Sequence, residues 1–256
     1  MMTFTNKVAI VTGASSGIGR STALAFAAGG AHLVAVGRDA HALEGVVAES
    51  AHLGAESIAV VADLLSDEAA GDIVKNTVAR FGAVDIVVNA AGVIATGATD
   101  ATPDDVWDRL MSLNVRAPFR LMREAFPHLK ERQGAVVNVS SVNGRRVFPN
   151  LAAYNTSKAA LDQLTRCAAI DWAPHGVRVN AVNPGVTVTN LHRRSGMNED
   201  AYAAFLARSK ETHPLGRPGQ ASEIAALILF LASDQAGWVT GETIAIDGGR
   251  HLTCAR

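Results

Sequence analysis

Tyr154 and Lys158 stand four residues apart in the stretch Ala-Tyr-Asn-Thr-Ser-Lys-Ala-Ala. In a helix, positions i and i+4 share a face, so this spacing sets an ammonium beside a phenol. An unperturbed tyrosine, with a pKa of about 10, is a poor proton donor or acceptor near neutral pH. A fixed positive charge beside it favours the phenolate and brings the pKa toward the working range. The pair is therefore a candidate acid–base centre. YxxxK also occurs in helices with no such role, so its meaning depends on what else the chain carries.

A second group of residues could hold an anion. Thr12-Gly13-Ala14-Ser15-Ser16-Gly17-Ile18-Gly19 follows an apolar β-branched run and opens a helical pattern. Glycines at such a turn let the backbone approach a pyrophosphate, and the helix N-terminus supplies oriented N–H donors. The three-residue gap between Gly13 and Gly17 departs from GxGxxG, and no Gly-Lys-Ser/Thr follows, so this is not a Walker A loop. Three more segments close later apolar runs. Asp63-Leu64 offers a carboxylate that could accept from an adenine amino group. Asn89-Ala90-Ala91-Gly92 forms a turn that could wall the adenine-ribose side and brace the sheet. Asn183-Pro184-Gly185 is followed by Thr187 and Thr189. Open α/β sheets place ligands at such strand ends.

The elements that must position these residues are legible as strand–helix alternation. Val8–Val11, Leu33–Val36, Ile58–Val61, Ile86–Val88, Val136–Val139, Val177–Val182 and Thr243–Ile246 read as strands. Several are apolar at consecutive positions, as expected for a parallel sheet covered on both faces. Helical patterns lie near 18–29, 40–53, 67–81, 103–131, 153–173 and 222–232, the last with Ser222 as its expected N-cap. The alternation implies right-handed βαβ units, hence an α/β, Rossmann-type doubly wound parallel sheet of about seven strands in one domain spanning 1–256. It breaks once, between Pro184 and about Gly219. There a short helix is expected over Asp200–Lys210, and the insertion at about 186–219 reads as a substrate lid.

Composition bounds the rest. The chain has 256 residues, 48% hydrophobic, enough to bury a sizeable core. A net charge of -1 and a pI near 6.7 give no electrostatic case for nucleic acid or an anionic membrane. Cys167 and Cys254 match no metal-ligand or CxxC spacing and read as reduced thiols, so no metal is expected. The N-terminus lacks the apolar core of a signal peptide, and no apolar run reaches membrane-spanning length. A soluble cytoplasmic protein is the expectation.

Taken together, TGASSGIG at 12–19, Asp63, NAAG at 89–92, Asn114, the Ser140-Ser141 pair, Tyr154-xxx-Lys158 and Asn183-Pro184-Gly185 make the chain resemble the short-chain dehydrogenases/reductases over nearly its whole length. One departure is Ala90, where the family usually has a second asparagine. The resemblance implies an Asn114-Ser141-Tyr154-Lys158 tetrad and an oxidoreductase that interconverts a ketone and a secondary alcohol. Tyr154 would be the general acid in reduction and the general base in oxidation. Lys158 would lower the tyrosine pKa and hold the nicotinamide-ribose hydroxyls. Ser141 would bond the carbonyl oxygen as charge develops, and Asn114 would support a water leading from Lys158 to solvent. Ser141 is taken over Ser140 because it lies thirteen residues before Tyr154, the family's usual separation. Ser140 would also face the other side of an extended strand end. A non-catalytic dinucleotide-binding protein is the alternative from another class, and it would have no need for a lysine-activated tyrosine.

The second strand ends Val36-Gly37-Arg38-Asp39. An acidic side chain at that end would chelate the ribose hydroxyls of NAD. Gly37 leaves room there for a 2′-phosphate and Arg38 could pair with it, which favours NADP(H). Asp39 keeps NAD(H) open, as does Ser16, which is not the basic residue many NADP-preferring relatives carry. For the substrate, Val142, Asn143, Val147, Phe148, Gly185–Thr187 and the 190–213 segment are pocket candidates. Arg145, Arg146, His192, Arg193, Arg194 and His213 either surround an anionic substrate or form a solvated basic rim. The resemblance extends to 3-oxoacyl-(acyl-carrier-protein) reductases, whose paired arginines dock the acidic carrier. Here only Arg132 matches, with His175 in the second place. A reductase of small ketones, keto acids or sugars is equally open. The resemblance also implies a homotetramer, or next a dimer, through helices 103–131 and 153–173 and the segment around 240–256.

Overall fold

The computed structural model describes residues 2–253; Cys254 lies outside them. The apolar runs form strands β1 (Val8–Thr12), β2 (His32–Gly37), β3 (Ser57–Val61), β4 (Ile86–Asn89), β5 (Ala135–Val139) and β6 (Arg178–Pro184). Two short strands, β7 (Thr187–Val188) and β8 (Gly219–Gln220), pair with each other, and β9 (Thr243–Ile246) ends the series. The main sheet is seven-stranded and parallel, in the order β3-β2-β1-β4-β5-β6-β9. The helices are α1 (Gly17–Ala28), α2 (Ala40–His52), α3 (Ala69–Phe81), α4 (Asp104–Met111), α5 (Ala117–Arg132), α6 (Ala152–Trp172), α7 (Leu191–Arg194), α8 (Glu199–Ala207), α9 (Ser209–Thr212) and α10 (Ala221–Ala232).

Strand periodicity builds two cores. Successive side chains point to opposite faces, so Ala9, Val11, Leu33, Val88, Val137 and Val182 meet Phe26 of α1, Leu43 of α2 and Ile224 and Ile228 of α10. The intervening residues Ile10, Val34, Val36, Val87, Val136 and Val179 meet Ile73 of α3, Leu121 and Leu129 of α5 and Ala168 of α6. With helices on both faces, β1, β4 and β5 are buried at every position, which is why they read as unbroken apolar runs. Each fully buried Leu, Ile or Phe contributes roughly 1.5–3 kcal/mol of burial free energy.

The sheet order reverses between β1 and β4, and a crevice opens beyond their C-terminal ends. Thr12 ties the two ends together: its hydroxyl accepts from the Ala90 and Ala91 N–H groups, both at 3.1 Å. Gly13 is required there, because it sits at φ +67° and a Cβ would come within 2.9 Å of the Ala91 nitrogen.

Three elements differ from the sequence expectation. The 103–131 helix is two helices joined by a π-helical turn at Ser112–Arg116, where the Ala117 N–H reaches back five residues to the Ser112 carbonyl. Pro118 has no N–H for the carbonyl four residues earlier, so a continuous α-helix would be broken at Asn114 in any case. The cap of α10 is Gln220, not Ser222, in a reciprocal box with Glu223. The helix expected at Asp200–Lys210 is α8, ending at Ala207, with α9 as a separate turn. Other boundaries shift by one or two residues.

Candidate active site

Tyr154 and Lys158 project from the first turns of α6 into a cleft of about 390 Å³ at the strand ends. Both are buried, at 6% and 5% exposure. The Lys158 ammonium donates to the Val139 carbonyl at 2.9 Å and lies 5.8 Å from the centre of the Tyr154 ring. Burial pushes the Tyr154 phenol above its ordinary value, and the Ser141 hydroxyl only partly opposes this. Burial also pushes Lys158 down to about 8, against the attraction of Asp162. The expected lowering of the tyrosine by the lysine is therefore reversed in this geometry. Desolvation of the phenol is the largest influence on it, while the Lys158 ammonium is engaged by the Val139 carbonyl.

Ser141 follows β5 and caps a 3₁₀ turn, Val142–Gly144. Its hydroxyl accepts from the Asn143 N–H at 3.2 Å and donates to Asn143 Oδ1 at 3.1 Å. Asn143 passes the contact to Asn155, and Asn155 to the Phe148 carbonyl. Ser140 also lines the cleft, and its hydroxyl donates to the Lys158 carbonyl. Asn114, in the π turn, makes paired hydrogen bonds with the Val93 N–H and carbonyl, both at 3.0 Å, and donates to Ser157. Its side chain thus clamps the strand-end loop to α6 and is not part of the cleft lining.

Of the other residues expected to hold a nucleotide, Gly13, Ser15, Ser16, Ile18, Gly19, Arg38, Asp63, Leu64, Ala90, Gly92, Pro184, Gly185, Thr187 and Thr189 line the cleft. Two do not. Asn89 is buried and donates to Asn138 across the sheet, so it is a strut between β4 and β5. Gly17 starts α1 at φ +55°, where a Cβ would crowd Thr189 at 3.2 Å. Asp63 gives one carboxylate oxygen to the Leu65 N–H. Asp39 is the N-cap of α2, accepting from the Ala42 N–H at 3.0 Å, and it too is absent from the cleft lining.

The expected pocket and basic residues separate in the same way. Val142, Asn143, Phe148, His192 and Arg194 line the cleft, whereas Val147 is exposed outside it. Arg145 donates to the Thr243 carbonyl, and Arg193 is held by both oxygens of Glu199. His213 is buried, with its Nε2 accepting from the Val186 N–H. Arg132 is held by the buried Asp85 at 2.9 Å, and His175 packs against the Phe126 ring.

Sequence reasoning missed Asp162 and Arg250. Asp162 lies one helical turn beyond Lys158, buried, with Asn183 Nδ2 2.9 Å from its Oδ2. Its i+4 spacing from Lys158 was the available signal. Arg250 lines the cleft from the far C-terminal side, and no local motif marks it. Among the described residues no His/Cys/Asp/Glu group could hold a metal ion, and no helix is long and apolar enough to cross a membrane.

A doubly wound sheet with a glycine-turned crevice at its reversal point and a buried Tyr–Lys pair at one end defines a Rossmann-type oxidoreductase framework. A family profile described as Enoyl-(Acyl carrier protein) reductase matches residues 13–251. An uncharacterized oxidoreductase of Thermotoga maritima is 39% identical, over 97% of this chain and 98% of the relative. A 3-oxoacyl-(acyl-carrier-protein) reductase of Staphylococcus epidermidis is 35% identical, over 96% of this chain and all (100%) of the relative. Among solved structures, a short-chain dehydrogenase/reductase of unknown function from Caenorhabditis elegans, determined with cofactor, superposes with a TM-score of 0.93 at 38% identity, covering 98% of this chain and 97% of that one. The chain belongs to the short-chain dehydrogenase/reductase family.

Proposed function

We propose that this oxidoreductase interconverts a ketone and a secondary alcohol with a nicotinamide dinucleotide, with Tyr154 handling the proton. The observation that carries the reading is the burial of Tyr154 and Lys158 together beside Ser141 at the end of a glycine-turned crevice. The residues fit such a cofactor: the first turn of α1 holds no acidic side chain and Ser16 leaves its N–H groups uncapped by a side chain, a donor set suited to a pyrophosphate. Asp63 and Leu64 would flank the base, and Pro184, Gly185, Thr187 and Thr189 the nicotinamide end. When bound, the dinucleotide supplies or accepts the hydride.

Tyr154, kept protonated by burial, gives its proton to the carbonyl oxygen in reduction and recovers it from the alcohol in oxidation. Ser141 turns its hydroxyl from Asn143 toward the same oxygen and stabilises developing negative charge. Lys158, which now donates to the Val139 carbonyl, would hold the ribose hydroxyls and pass a proton to the Tyr154 phenolate after reduction, regaining one from solvent. Asn114 is a positioning residue that fixes the Val93 loop against α6.

NADP(H) is the proposed partner, because Gly37 and Arg38 line the cleft while the Asp39 carboxylate is spent on capping α2. The 3-oxoacyl-carrier reading is supported by the names of relatives but not by a docking pair, since Arg132 is bound to Asp85. The deciding measurement is a spectrophotometric screen of NADPH and NADH oxidation over ketones, keto acids and 3-oxoacyl thioesters. A fall in turnover of roughly 10²–10⁴-fold is expected for Tyr154→Phe; a substrate reduced at the parent rate by that variant refutes the mechanism.

A further inference from the structure

Several arginines of this protein are matched by a carboxylate: Arg20, Arg80, Arg120, Arg123, Arg132, Arg193 and Arg217 are each in an ion pair. Arg250 is in none among the described residues, although its guanidinium is drawn in from solvent and lines the cleft. Its Nε is buried without a hydrogen-bond partner, and its recorded side-chain bond is a long one, 3.4 Å to the Thr212 hydroxyl. The acid closest in sequence, Asp247, is already engaged by the Gly249 and His251 N–H groups and the His251 ring.

The fold directs this arginine inward. Asp247 is followed by Gly248 and Gly249 at φ +61° and +83°, a turn that L side chains rarely adopt and that folds the chain back against Pro214. Arg250 then lies over the Phe148 ring, 4.7 Å from its centre. Arg146 covers the same ring at 5.4 Å and donates to the Arg250 carbonyl. Arg194 and His192 line the cleft, and Arg146 and Arg194 likewise enter no ion pair among the described residues. Burial and the neighbouring charge of Arg146 push the Arg250 pKa down, and burial and Arg250 push His192 down. Positive charge has thus been gathered at a partly dry site where Asp247 opposes it only in part, its oxygens being bonded to the Gly249 and His251 N–H groups and the His251 ring, an arrangement that an anionic ligand would relieve.

We infer that Arg250, supported by Arg146 and Arg194, forms an anion subsite, and that the substrate is an oxo acid or its hydroxy acid, with a carboxylate set apart from the reacting carbon. A planar guanidinium held over a ring can grip a carboxylate through two N–H groups at once. Ile94, Val142, Phe148, Leu151 and Phe205 line the same cleft as Arg250 and Tyr154, apolar walls that suit a short hydrocarbon spacer. The inference rests on the carbonyl-reductase reading and narrows its substrate class.

The test compares acetoacetate, levulinate and 5-oxohexanoate with their methyl esters, measuring kcat/KM for each acid and ester. At least one acid should exceed its ester by tenfold or more. Arg250→Met should collapse that acid-to-ester ratio by tenfold or more, Arg250→Lys should keep part of it, and Arg193→Gln, outside the cleft, should leave it unchanged. Unaltered circular dichroism and NADPH fluorescence in Arg250→Met show that the fold survives. Should Arg250→Met not fold, Arg146→Met and Arg194→Met together carry the same expectation. Calorimetry with glutarate, an unreactive dicarboxylate, gives a readout independent of turnover: binding in the parent, lost in Arg250→Met. Esters or neutral 3-oxoacyl thioesters reduced as well as the acids, or a preference that survives Arg250→Met, overturn the subsite and leave the reductase reading intact. No ketone reduced by any of these routes overturns the reductase reading, and glutarate binding still decides the subsite.

Discussion

Asn183 Nδ2 lies 2.9 Å from Oδ2 and 3.2 Å from Oδ1 of Asp162, and 2.8 Å from the Ser141 carbonyl oxygen. One amide at the end of β6 thereby joins α6, a turn beyond Lys158, to the residue that carries the candidate oxyanion donor. Burial pushes the Asp162 carboxyl up, opposed by Ser140, Asn183, Arg166 and Lys158. Asp162→Ala should lower stability by about 1.5–3 kcal/mol, the range for hydrogen bonds to a charged group, and reduce kcat more than KM by loosening Ser141. Asp162→Asn, which keeps an acceptor, should recover much of both. Urea unfolding with parallel kinetics checks this; an alanine variant with unchanged kcat would confine Asp162 to a packing role.

Tyr154→Phe removes a hydroxyl from a site that otherwise keeps its shape. A positioned acid contributes roughly 10²–10⁴-fold, so kcat should fall by that factor while nucleotide binding persists. Stopped-flow turnover with NADPH fluorescence titration separates the two.

Lys158 should mark the pH dependence of stability. In the unfolded chain it titrates near 10.5, and in the folded protein at about 8. Below about pH 8 both states hold the proton and the folded state bears the full cost of the buried charge. Between those values the unfolded chain keeps a proton that the folded protein has released, so the cost shrinks as pH rises. From pH 7 to 9.5 the wild type should gain about 2 kcal/mol relative to Lys158→Met, at about 1.4 kcal/mol per pH unit above 8. Urea unfolding at the two pH values measures the gap between the proteins; a constant gap contradicts the assignment.

Arg38→Ala should cut the NADPH-to-NADH ratio of kcat/KM by roughly 10–100-fold, the worth of one charge-assisted hydrogen bond to a 2′-phosphate. Asp39 remains on the Ala42 N–H in that variant, so NADH use should change little. Steady-state kinetics with both nucleotides decide it, and an unchanged ratio would count against NADP(H).

Arg132→Ala should destabilise the protein by about 1–3 kcal/mol, because Asp85 is buried and loses its closest cation, keeping only Lys7 at 3.6 Å and the Val8 N–H. Thermal unfolding reads this, and turnover of a small ketone should be retained. A variant of parental stability would free Arg132 for carrier docking.

Unbroken apolar runs and strand–helix alternation were sufficient to specify the layers and the parallel sheet, because burial on both faces leaves a direct imprint on residue type. Motif residues at strand ends were legible for a related reason: Gly13 and Gly19 have no alternative where backbones touch. What stayed hidden depended on contacts between distant segments. Pro118 was visible, but the π turn that aims Asn114 at Val93 needed α4 and α5 to be seen against α6. Asn89 read as a cleft residue until Asn138, 49 positions away, claimed its amide.

The Tyr154–Lys158 spacing, the glycine turn and the strand pattern were determined by sequence alone, since each follows from local geometry along one element. Tertiary structure decided the rest. It reversed the expected tyrosine shift, because desolvation depends on everything packed around a phenol. It removed Arg145, Arg193 and His213 from the substrate site by giving each a partner elsewhere. And it brought Arg250, nearly a hundred residues beyond Tyr154, over Phe148 at the cleft, a placement that no linear spacing encodes.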